Sequence, residues 1–336
     1  MDVLGLTNES RILSYGGVET CILFEHKWNL RNFASFEVLD DEKELQYFER
    51  DFSLPILRAA ATHGMTLMID MFLWRASPNH IKALGYPNPL ETQLNVHRRA
   101  MKYARESFSR MISCVPSSAD PVRVLYAVDI GPAGDGYAVD TECALKTVSD
   151  FRNYHLAQLR AAKEIGADLV AAWTCTTVAE AAGATIAARE VGLPIVVSTT
   201  LETDGRTPEG LSLGAFITSV DAATDDYPVF FAGNCFHPTH VSSVLGQACS
   251  ENAAWLARFK GLRVNASCKS HAELDNSTEL DSGNPRELAA QVAELQKLMG
   301  GRLLLLGGCC GTNAEHVTQI AHEWAKMKTN IRYSAK

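Results

Sequence analysis

The chain has 336 residues, 46% of them hydrophobic, and a formal net charge of −8 at pH 7. This length and apolar content are enough for a sizeable core. The negative charge gives no electrostatic support for binding nucleic acid or an acidic lipid surface. No apolar run approaches the ~20 residues that span a bilayer, and the first residues lack the basic and apolar regions of a signal peptide. We therefore expect a cytoplasmic protein without a membrane or nucleic-acid partner.

Eight short apolar runs recur along the chain and are separated by helix-like segments. The runs cover residues 11–15, 65–70, 122–128, 168–172, 194–198, 229–232, 262–266 and 303–306. A helix is also expected near residues 42–61. Alternating strands and helices predict a parallel sheet, and eight units in this length predict a single (β/α)8 TIM barrel over residues 1–336. An open doubly wound sheet is the competing arrangement.

Local signals mark where the later helices begin. Asn284 followed by Pro285 predicts a helix start after the seventh run, because proline is favoured at the first helical position. After the eighth run, Thr312 and Glu315 have the spacing of a capping box. The polar segment 269–283 between these runs is interpreted as a loop.

Nine cysteines are scattered irregularly along the chain. An odd number without regular spacing argues against a disulfide framework, so we expect reduced thiols. A free cysteine is usually a small buried hydrophobe. We interpret four cysteines in this way: Cys21, Cys114, Cys143 and Cys249. The same role is favoured for Cys175 and Cys268, although their positions near predicted strand ends would also let them face a site.

The other three cysteines lie where two of the apolar runs end. Cys235 follows the sixth run, and Cys309 and Cys310 follow the eighth. The carboxyl ends of barrel strands form one rim, where active sites are built, so the three thiols should meet there. Three thiolates around a tetrahedral ion leave one position open, which is typical of catalytic rather than structural zinc. The pattern predicts a zinc enzyme whose fourth ligand is the substrate.

The motifs around these cysteines resemble those of the homocysteine S-methyltransferase family. Residues 307–316 are similar to that family's Gly-Gly-Cys-Cys-Gly-Thr signature with its following Glu-His, and residues 233–235 to its first zinc cysteine. Further similarity at residues 75–78, 130–135 and 199–213 extends the resemblance along nearly the whole chain.

The resemblance implies a function as well as a fold. Cys235, Cys309 and Cys310 would bind Zn²⁺ and serve catalysis through it. In such enzymes the metal lowers the pKa of a thiol, which binds as a thiolate and takes a methyl group from a sulfonium or ammonium donor. The implied activity is zinc-dependent S-methyl transfer between a small-molecule thiol and a methyl donor. The donor, the direction of transfer and the oligomeric state stay open.

Several positions depart from the family pattern. The family's first strand ends in Asp-Gly-Gly and its fourth in Glu-Thr, but here Tyr15 precedes the glycines and Trp173 precedes Thr174. A Thr-Asn-Thr-type stretch is likewise replaced by one that contains Phe72 and Trp74. In the family the two missing carboxylates hold the ammonium group of homocysteine, and an unpaired buried charge is costly. We therefore expect a thiol other than homocysteine, with these five residues as the candidate substrate-binding set.

Two alternatives are kept. An ordinary homocysteine S-methyltransferase, making methionine, would need another acid, and Glu19 lies on the unfavourable side of the glycines. A non-catalytic relative would keep zinc for binding or structure, although structural zinc sites are normally closed by a fourth protein ligand. For His237, His240 and His316, capping or packing is favoured over metal ligation.

Overall fold

The computed structural model describes residues 2–116, 121–139 and 141–327. Eight parallel strands follow one another around a closed barrel, and the last pairs with the first. The strands are β1 (Ile12–Leu13), β2 (Thr66–Asp70), β3 (Val124–Ile130), β4 (Leu169–Cys175), β5 (Ile195–Thr199), β6 (Phe230–Phe236), β7 (Phe259–Val264) and β8 (Leu305–Gly308). Each overlaps one predicted apolar run, so the (β/α)8 prediction is confirmed and the open sheet is excluded.

Helices connect the strands and surround the barrel. The α-helices in the described ranges are α1 (Val18–Thr20), α2 (Glu42–Tyr47), α3 (Leu54–Thr62), α4 (Pro78–Ala83), α5 (Pro89–Ile112), α6 (Val148–Glu164), α7 (Val178–Val191), α8 (Leu213–Thr224), α9 (Pro238–Ser250), α10 (His271–Asp275), α11 (Pro285–Leu298) and α12 (Ala314–Lys326). The π-helical turns Cys21–Glu25 and Phe48–Ser53 lie before β2. No described helix is long and apolar enough to cross a membrane.

The apolar core has an inner and an outer part. Because successive strand side chains point to opposite faces, all strands but β7 contribute described residues to both. Ile12 belongs to the cluster inside the barrel, whereas Leu13 and Tyr15 belong to the larger cluster between strands and helices. Trp173 tops the inner cluster near the carboxyl end of β4. The barrel interior is therefore packed below the rim, and the open space lies above it.

The start signals of the last two helices had different outcomes. Asn284 caps α11 by accepting hydrogen bonds from the two backbone N–H groups that follow Pro285, as predicted. The capping box of α12 is shifted by one residue: Asn313 is the cap and His316 completes the box. Thr312 does not cap the helix because its hydroxyl donates to the carbonyl oxygen of Cys309 at 2.6 Å. The prediction that residues 269–283 form only a loop is wrong, since α10 lies within them.

Candidate metal and substrate site

The three cysteines at the strand ends meet at the carboxyl rim. Cys235 is the next-to-last residue of β6, and Cys309 and Cys310 directly follow β8. Their Sγ atoms all lie within 4.8 Å of one another, and those of Cys235 and Cys310 are 3.9 Å apart. Three converging sulfurs are a donor set that suits Zn²⁺, with one coordination position left for another ligand.

Two of these cysteines are joined as a disulfide, contrary to the expectation of reduced thiols throughout. The Cα atoms of Cys235 and Cys309 are 5.4 Å apart, a separation that a disulfide can span. Cys310 is a free thiol, and burial raises its pKa. Metals bind the thiolate form of cysteine, so the disulfide must be reduced before all three residues can act as ligands.

The backbone at the rim has an unusual conformation. Phe72, Thr174 and Cys235 have φ values of 61°, 53° and 56°, in the left-handed region that residues with side chains rarely adopt. Such residues cost about 1–3 kcal/mol each and cluster at functional sites. Gly17 has a different constraint: a side chain there would collide with the carbonyl oxygen of Cys309. The glycine therefore allows the end of β1 to approach the cysteine loop.

Two polar side chains lie close to the sulfur atoms of the three cysteines. The Oδ1 atom of Asn234 accepts hydrogen bonds from the Thr174 backbone N–H at 2.9 Å and the Ser198 hydroxyl at 2.7 Å. These bonds orient the amide so that its Nδ2 faces Cys309 Sγ at 3.9 Å. The sequence motif predicts no role for Asn234, although this residue precedes the predicted ligand Cys235.

Tyr137 is the second of these groups. Its hydroxyl oxygen lies 3.3 Å from Cys310 Sγ and 3.8 Å from Cys235 Sγ. Burial and the nearby Cys310 raise the pKa of Tyr137 well above its usual range, so the hydroxyl keeps its proton and can donate to sulfur. The residue comes from the loop after β3, which resembles the family, but no sequence pattern indicates that this tyrosine reaches across the rim.

The cysteines open onto a cavity of about 160 Å³. Four of the five predicted substrate-binding residues line it: Phe72, Trp74, Trp173 and Thr174. Tyr15 is not among its described lining residues. Its ring packs edge-on against Phe48 and Phe52, with centroid separations of 6.2 and 5.7 Å, because strand alternation turns it toward the helices.

Acidic side chains also line this cavity, among them Glu19, which the sequence placed on the unfavourable side of the glycines. Glu19 is half-buried and accepts a hydrogen bond from the Ser35 hydroxyl at 2.8 Å, and desolvation raises its pKa. Asp70, at the end of β2, and Asp129, in β3, also have pKa values raised by burial, and the proximity of Asp70 adds to the effect on Asp129. The absence of acids at the two family positions thus does not leave the cavity without buried carboxyl groups.

Arg263 connects these acids to the rest of the rim. Its guanidinium forms an ion pair with Asp70 at 2.7 Å and donates to the carbonyl oxygens of Gly308 and Gly16 at 3.0 and 3.2 Å. It also stacks over Trp173, 4.7 Å from the ring centroid, while the Trp173 indole N–H donates to Asp129 at 3.2 Å. One cation therefore holds the ends of β1, β2, β4 and β8 together.

The charge balance of the cavity favours a cationic ligand. Five acidic side chains and two arginines are found among its described lining residues. Of the acids, only Asp70 forms an ion pair with one of those arginines, through Arg263. A ligand with a positive charge would stabilise the ionised form of the buried Asp129 and the half-buried Glu19, whereas Asp135 and Asp275 are exposed to water.

The neighbouring histidines have the roles that the sequence favoured. His237 caps α9, His316 completes the capping box of α12, and His240 Nε2 lies 2.9 Å from a backbone carbonyl oxygen.

The other cysteines follow the prediction with two exceptions. Neither Cys175, which is buried, nor Cys268 is among the described residues that line the cavity. Cys114 and Cys268 are exposed, so the prediction that they are buried is wrong.

Comparisons with known proteins agree with this geometry. A family model described as homocysteine S-methyltransferase matches residues 68–324. The structure is similar to the metallated form of the homocysteine methyltransferase MmuM from Escherichia coli, with a TM-score of 0.70 and 18% identity, covering 94% of this chain and 97% of that one. The oxidised form gives a TM-score of 0.69 and 18% identity, with 95% and 97% coverage. At this identity the structural similarity shows the fold, and the family model adds the family.

Proposed function

Since this chain belongs to the homocysteine S-methyltransferase family and is a methyltransferase, we propose that it is a zinc-dependent S-methyltransferase. The observation that carries the proposal is the convergence of Cys235, Cys309 and Cys310, whose Sγ atoms lie within 4.8 Å of one another at the mouth of the cavity. Zinc bound to them would lower the pKa of a substrate thiol and keep it nucleophilic at neutral pH.

The surrounding side chains would stabilise negative charge on sulfur. Tyr137 offers an O–H donor to two of the cysteines, and Asn234 offers an N–H donor to the third. Hydrogen bonds to a charged group are stronger than those between neutral groups. These two residues therefore position the sulfur ligands and offset part of the charge that thiolates bring to the site.

The methyl donor is proposed to be a sulfonium or ammonium compound. Its positive charge matches the excess of acidic over basic side chains in the described cavity lining. Asp129 is buried and Glu19 half-buried, both with raised pKa values, so the ionised form of each would be stabilised by a cation beside it. After the methyl group is transferred, the donor becomes neutral and loses this attraction, which favours its release.

For the acceptor, we propose a small thiol other than homocysteine. Tyr15 and Trp173 stand at the two positions where the family has the carboxylates that bind the homocysteine ammonium group. Tyr15 faces the helices and Trp173 lines the bottom of the cavity, so neither position supplies an acid. A thiol without an α-ammonium group would need no partner there. A buried ammonium group without its partner costs on the order of 3 kcal/mol, or more than a hundredfold in specificity.

Homocysteine is the second candidate because of one observation. Glu19 is half-buried and lines the cavity, so it offers a carboxylate at a place that the family pattern does not predict. If the ammonium group of homocysteine reaches Glu19, the usual family substrate would be accepted in an altered orientation.

The test compares homocysteine with 4-mercaptobutanoate, which has the same thiol and carboxylate but no ammonium group. Reduced, zinc-loaded protein is incubated with each thiol and a panel of sulfonium and ammonium donors, and methylated products are measured by mass spectrometry. We expect the deaminated thiol to be preferred by at least about a hundredfold in kcat/KM. A preference for homocysteine that Glu19→Gln removes would support the second candidate. Absence of product with every pair would overturn both and favour a zinc-binding relative without catalysis.

A further inference from the structure

A second group of metal-ligating side chains lies outside the catalytic cavity, in the turn after β1. Cys21, Glu25 and His26 each present one ligand atom, and these atoms all lie within 4.8 Å of one another. Cys21 Sγ is 3.3 Å from Glu25 Oε2 and 3.8 Å from His26 Nε2. Cys21 is buried and Glu25 is exposed, so the group lies at the protein surface with one side open to solvent.

The local backbone explains why these residues meet. Residues Cys21–Glu25 form a π-helical turn, in which the His26 N–H donates to the Cys21 carbonyl oxygen at 3.2 Å. The wider π turn places residues four and five positions apart on the same side. In an α-helix, by contrast, His26 would be rotated by about 140° from Cys21. Single π turns of this kind are often found at functional sites.

The imidazole of His26 is oriented as metal-ligating histidines usually are. Its Nδ1 lies 2.6 Å from Glu44 Oε2, so the Nδ1–H group donates to that carboxylate and the Nε2 lone pair faces Cys21. A carboxylate on the far nitrogen fixes the tautomer and raises the basicity of a ligating histidine. On the other side, Asn313 Nδ2 donates to Glu25 Oε1 at 3.2 Å and orients that carboxylate.

The electrostatics also favour a cation at this place. Burial raises the pKa of the Cys21 thiol, and the carboxylates of Glu25, Glu44 and Asp51 raise it further. The small buried hydrophobe that the sequence predicts at Cys21 would not be expected beside three acids. A divalent ion between the thiol and Glu25 would offset this negative charge and allow the thiolate to form.

We propose that Cys21, Glu25 and His26 form a second binding site for a divalent transition metal, with Zn²⁺ as the expected ion. Thiolate, imidazole and carboxylate are all ligands of zinc, and water would complete the tetrahedron. None of the three lines the catalytic cavity, so the site is additional to the proposed function. Its ion would fix the turn next to Thr20, whose hydroxyl accepts a hydrogen bond from the Gly311 N–H at 3.1 Å.

The experiment separates the two sites by removing the cysteines of the rim. The full chain with Cys235→Ser, Cys309→Ser and Cys310→Ser is reduced, titrated with Zn²⁺ or Co²⁺, dialysed and measured for bound metal. We expect about one equivalent, with X-ray absorption showing one sulfur at ~2.3 Å and nitrogen or oxygen ligands at ~2.0–2.2 Å. Adding Cys21→Ser should abolish binding, whereas adding Cys114→Ser, at an exposed cysteine, should not. Glu44→Gln should weaken binding about 10–100-fold.

The metal counts test the second site separately from the methyl-transfer activity of the rim. If the triple variant folds and binds no metal, or keeps its metal when Cys21 is replaced, the second site does not exist. If the triple variant does not fold, the same count is made on the otherwise unaltered chain, where Cys21→Ser should reduce two equivalents to one. An unchanged count there also overturns the inference, whatever the methyl-transfer assay shows.

Discussion

Two regions of this molecule gather metal-ligating side chains by different routes. At the rim, Cys235 and Cys309 are 74 residues apart in sequence, and they meet only because the barrel closes. In the turn after β1, Cys21 is the first residue of a π-helical turn, and His26 directly follows that turn. The first arrangement depends on tertiary structure and the second on local helical geometry. Substitutions should therefore affect the two regions independently.

The largest expected effect is loss of the rim site. Cys309→Ala should abolish metal binding at the rim and methyl transfer, because two sulfurs no longer complete a three-thiolate site. Circular dichroism should show the barrel still folded, and metal analysis should find one equivalent, held in the turn after β1. Cys175→Ala is the matched control at another strand-end cysteine and should keep both metal and activity. Full zinc content and turnover in Cys309→Ala would contradict the assignment of the rim.

A second large effect is expected from Arg263→Met. The change leaves Asp70 and Asp129 buried without their cation, which should cost about 3–5 kcal/mol of unfolding free energy. Urea unfolding of the variant and of Arg263→Lys measures the loss, which should be smaller for lysine. Metal binding by Cys21, Glu25 and His26 should be unchanged, because the described contacts of Arg263 include none of these three residues.

The pH dependence of that loss has a defined sign. Folding raises the pKa of Asp70 and Asp129, so their ionisation destabilises the folded state, and this penalty decreases as pH falls through the raised values. Arg263 lowers both pKa values, and its removal enlarges the penalty. The difference in stability between variant and parent should therefore be largest near pH 7 and smaller at pH 5. A difference that is constant over this range would indicate lost packing alone.

An intermediate effect is expected from Tyr137→Phe. Its hydroxyl lowers the pKa of Cys310, so the variant should have a higher thiol pKa at that residue. Loss of a hydrogen bond to a charged group is worth about 1.5–3 kcal/mol, which predicts turnover slower by about tenfold or more with an unchanged fold. The pH dependence of Cys310 alkylation in the metal-free protein measures the shift. An unchanged alkylation profile would show that the Tyr137 hydroxyl does not lower the pKa of Cys310.

The smallest effect on catalysis is expected from the turn after β1. Cys21→Ser should lower the metal content by one equivalent and leave kcat within about twofold, since neither Cys21 nor its partners line the cavity. Steady-state kinetics and metal analysis on the same sample test whether one equivalent of metal is lost while kcat stays nearly unchanged. A loss of activity comparable to that of Cys309→Ala would show that the two regions are coupled, and the contrast drawn between them would fail.

The sequence predicted the rim better than the cavity. Strand positions follow from apolar runs, and barrel closure brings every strand's carboxyl end to the same rim, so Cys235 and Cys309 could be placed together from sequence. The orientation of the last residues of each strand is harder to predict, because β1 has only two paired residues. Tyr15 follows that short strand and faces the helices, while Glu19, four residues later, lines the cavity.

Contacts between side chains on distant strands could not be predicted from the sequence either. Nothing near Arg263 in the sequence indicates that it pairs with Asp70 or stacks on Trp173, since these contacts span the barrel. The shifted cap of α12 has a similar cause. Thr312 matches the local pattern, but its hydroxyl is bound to the carbonyl oxygen of Cys309, and Asn313 takes its place as the cap.

The left-handed residues at the rim have an evolutionary consequence. Phe72, Thr174 and Cys235 each hold a conformation that glycine would adopt without steric cost, so together they reduce stability by several kcal/mol. Laboratory selection for heat resistance should therefore favour glycine or asparagine at Thr174, but not at Phe72, where losing the buried ring that packs against Phe48 would cost more than the strain it relieves. At Cys235 the same replacement would remove a sulfur ligand. This rim is thus where stability and activity are in direct conflict, and it sets a limit on how thermostable an active form of the enzyme can become.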